Sequence, residues 1–327
     1  GRVDYGVEVA NPSLPLPDEK IKELRTYVHD LVTSQKQKLA GYTTNKWKTE
    51  SETQQIIKGI PNNTSKLPSG LVAWYPLDHL EDSLVEEVVS KKYGKAVNEL
   101  IPVSGKISGA VEFMATNYAD LKPSKSFNFG NPFTISLWIK SLDGGIRGKV
   151  LSSRVNEEKS NFSLSVNNNK VISFYLGSYL NKTNIQFRSK ETLKENKWIH
   201  VSITYDGSKK AKGLKLFQDG RLIDVYVTND NLKGALPVPR NLFLGRNGLN
   251  DGIVAAQVDE LMLFNRPLSE NEIQGLISFN PLSALVSKDK ITPSDKKRLF
   301  YHQLTQNDPK YRLLNERLRE SKIKKGR

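Results

Sequence analysis

The sequence contains no cysteine, and only four histidines and two methionines occur among its 327 residues. Without cysteine the chain has no disulfide, no thiolate metal site and no catalytic thiol. The Cys-x-x-Cys-His attachment site of a c-type haem is excluded for the same reason, so we expect no haem in these residues. An oxidising compartment stays open, because a large apolar core does not need disulfides.

Long apolar runs are also missing. No run approaches the roughly 20 residues of a membrane span, so we expect no membrane-spanning segment. The chain begins Gly-Arg-Val, with neither Met nor an apolar signal region, which predicts a fragment or a processed form. Hydrophobic residues at 37% and charged residues at 26% indicate a globular chain of one large domain or two smaller ones.

The charge is strongly positive but uneven. The net charge is +14, and residues 285–327 hold 13 Lys and Arg against 5 Asp and Glu. A basic segment of this kind binds nucleic acid or an anionic surface, or it is a solvated helix face. No nucleic-acid fold motif accompanies the charge, so we do not expect nucleic acid as a partner.

Alternating apolar and polar residues dominate the middle of the chain. Residues 198–205 and 214–217 alternate with period two, and each run is followed by an Asp-Gly turn. Similar short runs recur at the spacing of an all-β sandwich. These runs are 71–77, 105–113, 133–140, 150–153, 162–166, 171–176, 185–188, 241–245 and 258–264. We therefore predict a β-sandwich over residues 67–279, with a loop between residues 78 and 105.

Helical patterns flank this region. After an extended entry at residues 1–15, an N-terminal helical arm and linker is predicted over 16–66, with a first helix that ends at Gly41. Its apolar stripe is narrow, as in a coiled coil, and consists of Ile21, Leu24, Val28, Leu31 and Leu39. A basic C-terminal arm is predicted over 280–327, with helices that begin at Thr292 and Asp308. Because the ends of a sandwich lie close together, we predict that the two arms form an antiparallel hairpin with Leu24 and Leu314 in its seam.

Five segments of the middle region occur in an order that identifies a family. They are Leu-Val-Ala-Trp-Tyr-Pro-Leu-Asp from 71, Gly-Lys-Ile-Ser-Gly-Ala-Val-Glu-Phe from 105, Phe-Thr-Ile-Ser-Leu-Trp-Ile-Lys from 133, the 198–220 unit, and Val-Asp-Glu-Leu-Met-Leu-Phe-Asn-Arg-Pro from 258. Over about residues 69–278 the chain resembles laminin-G-like, concanavalin A-like jelly-roll domains. The resemblance implies a mainly β fold, an antiparallel jelly-roll sandwich between helical arms.

The resemblance implies a recognition or spacer module, with polysaccharide as its ligand. Glycoside hydrolases of this fold carry Glu-x-Asp-x-Glu or a close variant on one strand, and no strand here has that spacing, so we expect no enzymatic activity. The alternative is a purely structural domain that contacts another protein domain. The four histidines, His29, His79, His200 and His302, fall in separate predicted elements and form no catalytic or metal-binding motif. We expect His200 to pack within its strand.

A structural Ca²⁺ is the cofactor that the resemblance implies. In related domains the ion lies between the end of the first strand and the Asp that opens the last strand, which correspond here to Asp78, Asp82 and Asp259. Calcium requires six to eight oxygen ligands, some of them backbone carbonyls. The family's Asp-x-Ser-Gly-Asn loop is replaced here by a sequence without the Gly-Asn. The alternative for Asp259 is a turn-capping hydrogen bond.

Ligand binding on a sheet requires aromatic faces beside polar side chains. The segments best able to supply them contain Arg154, Tyr175, Tyr179, Phe187 and Arg188, which we predict as ligand-binding residues. Trp74, Trp138 and Trp198 lie in alternating apolar runs, and we expect these three in the core.

The flanking segments carry a second resemblance. Asn-Pro-Ser-Leu-Pro-Leu-Pro from 11 and Asn-Asp-Pro-Lys-Tyr-Arg-Leu-Leu from 307 resemble linkers in large planctomycete-type proteins. In those proteins a laminin-G-like domain lies between two domains of unknown function, often behind a cytochrome c domain. This resemblance implies that the chain is the middle of a longer periplasmic or secreted protein.

Overall fold

Two antiparallel sheets packed face to face form the body of the protein. The computed structural model describes residues 18–46, 50–61, 66–80, 83–121, 127–154, 161–178, 183–236, 238, 241–246 and 252–326. Helices precede and follow the sandwich, which confirms the predicted jelly-roll sandwich between helical arms. Among the helices of these ranges, none is long and apolar enough to cross a lipid bilayer.

The strands and helices have the following bounds. The strands are β1 Leu71–Tyr75, β2 Leu84–Glu87, β3 Lys92–Val97, β4 Ile101–Ser104, β5 Gly109–Met114, β6 Tyr118–Leu121, β7 Phe133–Ser141, β8 Gly148–Arg154, β9 Phe162–Val166, β10 Val171–Ser178, β11 Thr183–Thr192, β12 Trp198–Tyr205, β13 Leu214–Gln218, β14 Arg221–Ile223, β15 Val225–Asp230, β16 Asn241–Leu244 and β17 Val254–Phe264. The helices are α1 Asp18–Lys46, α2 Glu50–Gly59, α3 Glu270–Ser278, α4 Pro281–Val286, α5 Pro293–Asn307 and α6 Pro309–Gly326.

The strands divide into two sheets. The first sheet has eight strands in the order β14-β13-β12-β7-β17-β5-β4, with β1 paired to β17. The second sheet has nine strands in the order β15-β11-β10-β9-β8-β16-β6-β3-β2. The predicted strands are all present, and β2, β3 and β4 occupy the region for which a loop was predicted. The loop prediction was wrong because Lys-Lys-Tyr-Gly-Lys from 91 shows no alternation of polar and apolar residues. In the structure this segment belongs to β3, a half-buried strand in which Gly94 and Ala96 are buried.

The core lies between the sheets. Alternation turns one side of every strand inward, and the inward side chains are apolar and almost fully buried. An aromatic cluster fills one part of this layer: Phe129 stacks on Phe162 with ring centroids 4.1 Å apart, and Phe174 stacks on Phe187 at 5.1 Å. Apolar burial of this extent is the main source of stability for a sandwich without disulfides.

The helical arms pack against each other. α1 lies along α6, and Tyr42 near the end of α1 donates a hydrogen bond to Asp308, just before α6, at 2.8 Å. The pair is therefore antiparallel, as predicted. Two details differ: α1 continues through Gly41 to Lys46, since one glycine costs only about 1 kcal/mol in a helix. Leu24 is 50% exposed, and Val32 is the buried residue of α1.

Candidate functional site

The outer face of the first sheet is covered by helices. At one end α3 packs on it and forms a second apolar cluster, in which Phe217, Met262 and Phe264 of the sheet contact Leu276 and Phe279. A capping box begins this helix: the Ser269 hydroxyl accepts a hydrogen bond from the Glu272 N–H, and the Glu272 carboxylate accepts one from the Ser269 N–H.

Polar contacts hold α6 on the other end of the same face. The Asn315 side chain donates to the Pro102 carbonyl at 3.1 Å, and Arg319 Nε donates to Glu112 Oε2 at 2.8 Å. Part of the positive charge of the basic C-terminal arm is therefore paired with an acid of the sandwich. A solvated helix face was one of the alternatives that the sequence left open for this arm.

His200 is buried on the outer side of β12 in the same sheet. Its Nε2 is 2.8 Å from Ser136 Oγ, and its ring meets Trp138 edge-on with centroids 5.0 Å apart. Burial lowers the pKa of His200 to about 3, so the ring is neutral at physiological pH. This confirms the predicted packing role of His200.

A buried group of charged residues joins α5 to the first sheet. Arg298 Nε donates to Asp78 Oδ2 at 2.8 Å, and the Gly109 N–H donates to Asp78 Oδ1 at 3.3 Å. Trp74 Nε1 donates to Glu260 Oε2 at 2.5 Å, and the Arg298 guanidinium lies 5.0 Å above the Trp74 ring. Asp259 Oδ2 accepts from the backbone N–H of residues 106 and 107. We call Asp78, Asp259, Glu260 and Arg298 the buried ion cluster.

Burial sets the protonation of this cluster. It raises the pKa of Glu260 to about 8, and the nearby charge of Asp78 adds to the effect. The pKa of Asp259 also rises well above its usual range, through burial and then through the charges of Glu260 and Asp78. Near neutral pH the Glu260 carboxyl therefore favours its protonated form, and the Asp78 carboxylate lies opposite the Arg298 guanidinium.

Two of the three predicted calcium ligands lie close together in the structure. Asp78 and Asp259 lie in the same cluster, and Asp82 lies outside the described residues. Both carboxylate oxygens of Asp78 already accept N–H donors, one of them from a cation. Within the ranges that the structure describes, no three His, Asp or Glu side chains are arranged to hold a metal ion. Calcium binding stays a prediction, and the ion would have to displace Arg298.

The outer face of the second sheet carries a different set of side chains. Strand register aligns one residue from each of its nine strands in a row across the sheet. From β2 to β15 this row is Leu84, Lys95, Asp120, Phe243, Ser152, Ser163, Tyr175, Gln186 and Asn229. A second, shorter row from β8 to β15 is Lys149, Ser165, Ser173, Arg188 and Tyr226. We call the surface formed by these two rows the open face, although Phe243, Ser152 and Ser163 in the middle of the long row are buried.

Tyr175 is half-buried and lies on the outer side of β10. A Cβ added at Gly177, two residues on and on the same side of the strand, would lie 2.6 Å from Tyr175 Oη and 2.8 Å from Cζ. The ring therefore lies along the strand over Gly177, and only glycine leaves room for it. A ring that lies flat on a sheet offers an apolar platform to a ligand.

An aromatic and polar corner lies further along the same face. Tyr118 meets Phe243 edge-on at 5.8 Å, and the Arg246 guanidinium lies 4.7 Å above the Tyr118 ring. The Asn241 side chain donates to both carboxylate oxygens of Asp120, at 2.8 and 3.0 Å. The sequence did not reveal these residues, because the register that brings β6 beside β16 joins segments more than 100 residues apart.

The predicted ligand-binding residues separate into three groups. Tyr175 and Arg188 lie on the open face, although their role in binding stays a prediction. The prediction for Phe187 was wrong. Its side chain is 1% exposed and points into the core, because neighbouring residues on a strand face opposite sides. Tyr179 and the side chain of Arg154 lie outside the described residues. Of the tryptophans, Trp74 is buried beneath the helices, Trp138 is buried with the Lys106 ammonium 4.6 Å from its ring centroid, and Trp198 is half-buried.

Comparison with known proteins agrees with this architecture. Residues 113–274 match a model of the laminin G type described as the Concanavalin A-like lectin/glucanases superfamily. Residues 113–274 are therefore similar to domains of this superfamily, as the sequence resemblance implied. No curated protein sequence matches the chain.

Solved structures share the fold at low sequence identity. The sialidase of Trypanosoma rangeli with the inhibitor DANA is 17% identical, with a TM-score of 0.51 over 75% of this chain and 39% of that one. The binding domain of Paraclostridial Mosquitocidal Protein 1 is 18% identical, with a TM-score of 0.49 over 64% and 52%. Domain 4 of AbnA, a GH43 extracellular arabinanase from Geobacillus stearothermophilus in complex with arabinotriose, is 17% identical, with a TM-score of 0.46 over 64% and 98%. The chain spans about half of the mosquitocidal structure and less of the sialidase.

Proposed function

We propose that this domain is a non-catalytic module that binds polysaccharide on the open face. The observation that carries the proposal is the contrast between the two sheets: helices cover much of the outer face of the first, whereas in the long row of the second Lys95, Tyr175, Gln186 and Asn229 are at least partly exposed in the described structure. That row combines a flat tyrosine with amides, hydroxyls and charged groups. Apolar platforms beside polar hydrogen-bonding groups are the general requirement for a sugar site.

The superfamily supports a binding role, and the acids of the open face support a non-catalytic one. Glycoside hydrolysis requires two carboxyl groups about 5 to 9.5 Å apart across the scissile bond. Asp120 is the acid of the long row, and its oxygens accept hydrogen bonds from Asn241. Its cross-strand neighbours in the row are Lys95 and Phe243, neither of which is an acid.

Affinity gel electrophoresis tests the binding role. The native chain should be retarded by at least one polysaccharide from a panel of xylan, arabinan, galactan, dextran and polygalacturonate. Tyr175→Ala should lose most of that retardation at unchanged melting temperature. Tyr27→Ala is the matched control, because Tyr27 is 65% exposed on α1, away from the sandwich face. Equal retardation of both variants would contradict the proposed site.

The alternative is a structural domain that contacts another protein domain. It is favoured by the edge strand β15, on which Tyr226 and Val227 are 62% and 48% exposed beside backbone groups that no further strand pairs in the described sheet. Failure of every polysaccharide to retard the native chain would favour this alternative.

We further propose that the chain is a segment of a larger periplasmic or secreted protein of the planctomycete type. The flanking segments that resemble linkers in such proteins support this context. The full-length reading frame tests it: a haem-attachment motif upstream and a long uncharacterised domain downstream are expected. A frame that encodes a short intracellular protein would contradict it.

A further inference from the structure

The shorter row of the open face places two cations on either side of two hydroxyls. Lys149 of β8 pairs with Ser165, Ser165 with Ser173, and Ser173 with Arg188. The two basic residues are three strands apart, which is about 14 Å at the usual spacing between strands. Tyr226 follows Arg188 on β15 and extends the row by one more strand.

Neither cation is neutralised by an acid that the structure describes. Lys149 Nζ lies 3.5 Å from the Ser163 hydroxyl, and Arg188 is exposed. No carboxylate occupies an outward position on β8, β9, β10, β11 or β15 in their described residues. The acid of the long row, Asp120, lies on β6, in the other half of the sheet. Lys149 on β8 and Arg188 on β11 are therefore two cations of this half of the open face that no described acid neutralises.

A cavity of about 680 Å³ lies beside Gly148, where β8 begins. Arg147 and the asparagines at 167, 168 and 169 line it. Asn167 Oδ1 accepts the N–H groups of residues 169 and 171, which turns its amide N–H donors away from the turn. Next to Arg147, the Gly148 backbone lies so close to Gly252 that an added Cβ would be 2.5 Å from the Gly252 carbonyl oxygen. The cavity thus offers a guanidinium and amide donors over bare backbone.

We propose that the open face recognises an acidic polysaccharide, whose anionic groups bind Lys149 and Arg188 as the chain crosses β8 to β11. The inference rests on the proposed polysaccharide-binding function and specifies its ligand class. A single small anion would engage one cation only, because the two lie too far apart to share it. A polymer with repeated carboxylate or sulfate groups reaches both cations and also crosses the serines and Tyr175 between them. Attraction to an exposed cation is modest for each pair and adds along a polymer.

Matched polymers test the inference on the whole chain. Dextran, carboxymethyl dextran and dextran sulfate share one backbone and differ in charge, and polygalacturonate is a natural uronate polymer. The native chain should bind at least one charged polymer more tightly than dextran. Stronger binding of carboxymethyl dextran and polygalacturonate would indicate a uronate ligand, and stronger binding of dextran sulfate a sulfated one.

Charge-matched variants separate this site from the general positive charge of the chain. Lys149→Gln combined with Arg188→Gln should weaken binding of the charged polymer by about fivefold to thirtyfold, since two exposed ion pairs are lost. Lys38→Gln combined with Lys215→Gln removes the same charge from α1 and from the first sheet, and it should leave binding unchanged. Both double variants should keep the native melting temperature, because all four side chains are at least partly exposed.

The outcomes distinguish the inference from the function on which it rests. If neutral polymers retard the chain as strongly as charged ones, the acidic ligand is wrong and the proposed function stands. If no polymer retards it, both are wrong. Equal loss in the two double variants would overturn the site at Lys149 and Arg188. Equal affinity for polyglutamate or a DNA oligonucleotide, with the same sensitivity to Lys149 and Arg188, would overturn polysaccharide as the ligand.

Discussion

The outer faces of the two sheets are built alike and used differently. On both, alternation turns every second side chain outward. The first sheet turns out Phe217, Met262 and Phe264, and helix α3 covers them. The second turns out Lys95, Gln186 and Arg188, and in the described structure they face solvent or partly so. The position of the helical elements thus decides which face stays free for a ligand.

The covered face also contains polar groups, and burial changes what they contribute. The buried ion cluster and His200 are out of water, so each depends on specific partners and any loss leaves an unpaired group. Lys95 and Arg188 of the open face are exposed to water and cost little to leave unpaired, whereas Ser152 and Ser163 of its long row are buried. Substitutions on the covered face should therefore change stability, and those on the open face should change binding.

Removal of the buried cation should have the largest effect. Arg298→Met leaves the Asp78 carboxylate buried without its guanidinium, and removing one partner of a buried ion pair costs about 3–5 kcal/mol of unfolding free energy. Urea denaturation measures this loss.

The control for this substitution is Arg317→Ala, which removes an exposed arginine from α6 and should change stability by less than about 0.5 kcal/mol. A similarly small loss in Arg298→Met would show that the cluster does not hold α5 on the sandwich.

A matched pair of aromatic substitutions tests the contrast between the two faces directly. Phe217→Ala empties a site under α3, where Phe217 is 3% exposed, and should cost about 3 kcal/mol. Tyr226→Ala removes a side chain that is 62% exposed on the open face and should cost less than about 0.5 kcal/mol. Similar losses for the two variants, measured by urea denaturation, would mean that the open face is covered.

Much of the fold could be predicted because it depends on local patterns. Asp-Gly turns and period-two runs each act over a few residues, and both occur as predicted. Strand β3 was not predicted, because its glycine, Gly94, and its lysines show no clear alternation of apolar and polar residues. Its pairing with β6 is a tertiary effect that overrides local propensity.

The candidate site was harder to predict than the fold. Tyr175 and Arg188 were found because they lie in a recognisable strand pair. Phe187 was included with them although strict alternation excludes it. Phe243 was missed because its place on the open face depends on register between strands distant in sequence, and Lys149 because a register shift between Lys149 and Leu151 interrupts the alternation of β8. The Arg298 partnership with Asp78 joins residues 220 apart in the sequence, and no spacing rule reveals it.

The pH dependence of stability tests the neutral His200 of the covered face. Its folded pKa of about 3 lies below the unfolded value of about 6.5, so the unfolded chain takes up the proton first. Stability is therefore lost as the pH falls below about 6.5. Between pH 7.5 and 5 the native chain should lose about 2 kcal/mol more than His200→Gln, which has no such group.

His29→Gln is the control for this measurement, because His29 is exposed on α1. Urea unfolding of all three proteins at both pH values gives the comparison, and groups other than the histidines cancel in the differences. Equal pH dependence in the native chain and His200→Gln would mean that His200 is not buried as a neutral ring.

Calcium should have the smallest effect on stability. Its addition tests whether the buried ion cluster of the first sheet needs an external cation. In the native chain Arg298 already lies against Asp78, so excess Ca²⁺ and EDTA should give the same melting temperature. In Arg298→Met the oxygens of Asp78, Asp259 and Glu260 lose that cation, and Ca²⁺ should then raise the melting temperature, because a ligand of the folded state stabilises it. Mg²⁺ at equal concentration controls for ionic strength. A higher melting temperature of the native chain in Ca²⁺ would instead support the calcium ion that the family resemblance implies. It would also show that Arg298 does not take the place of that ion.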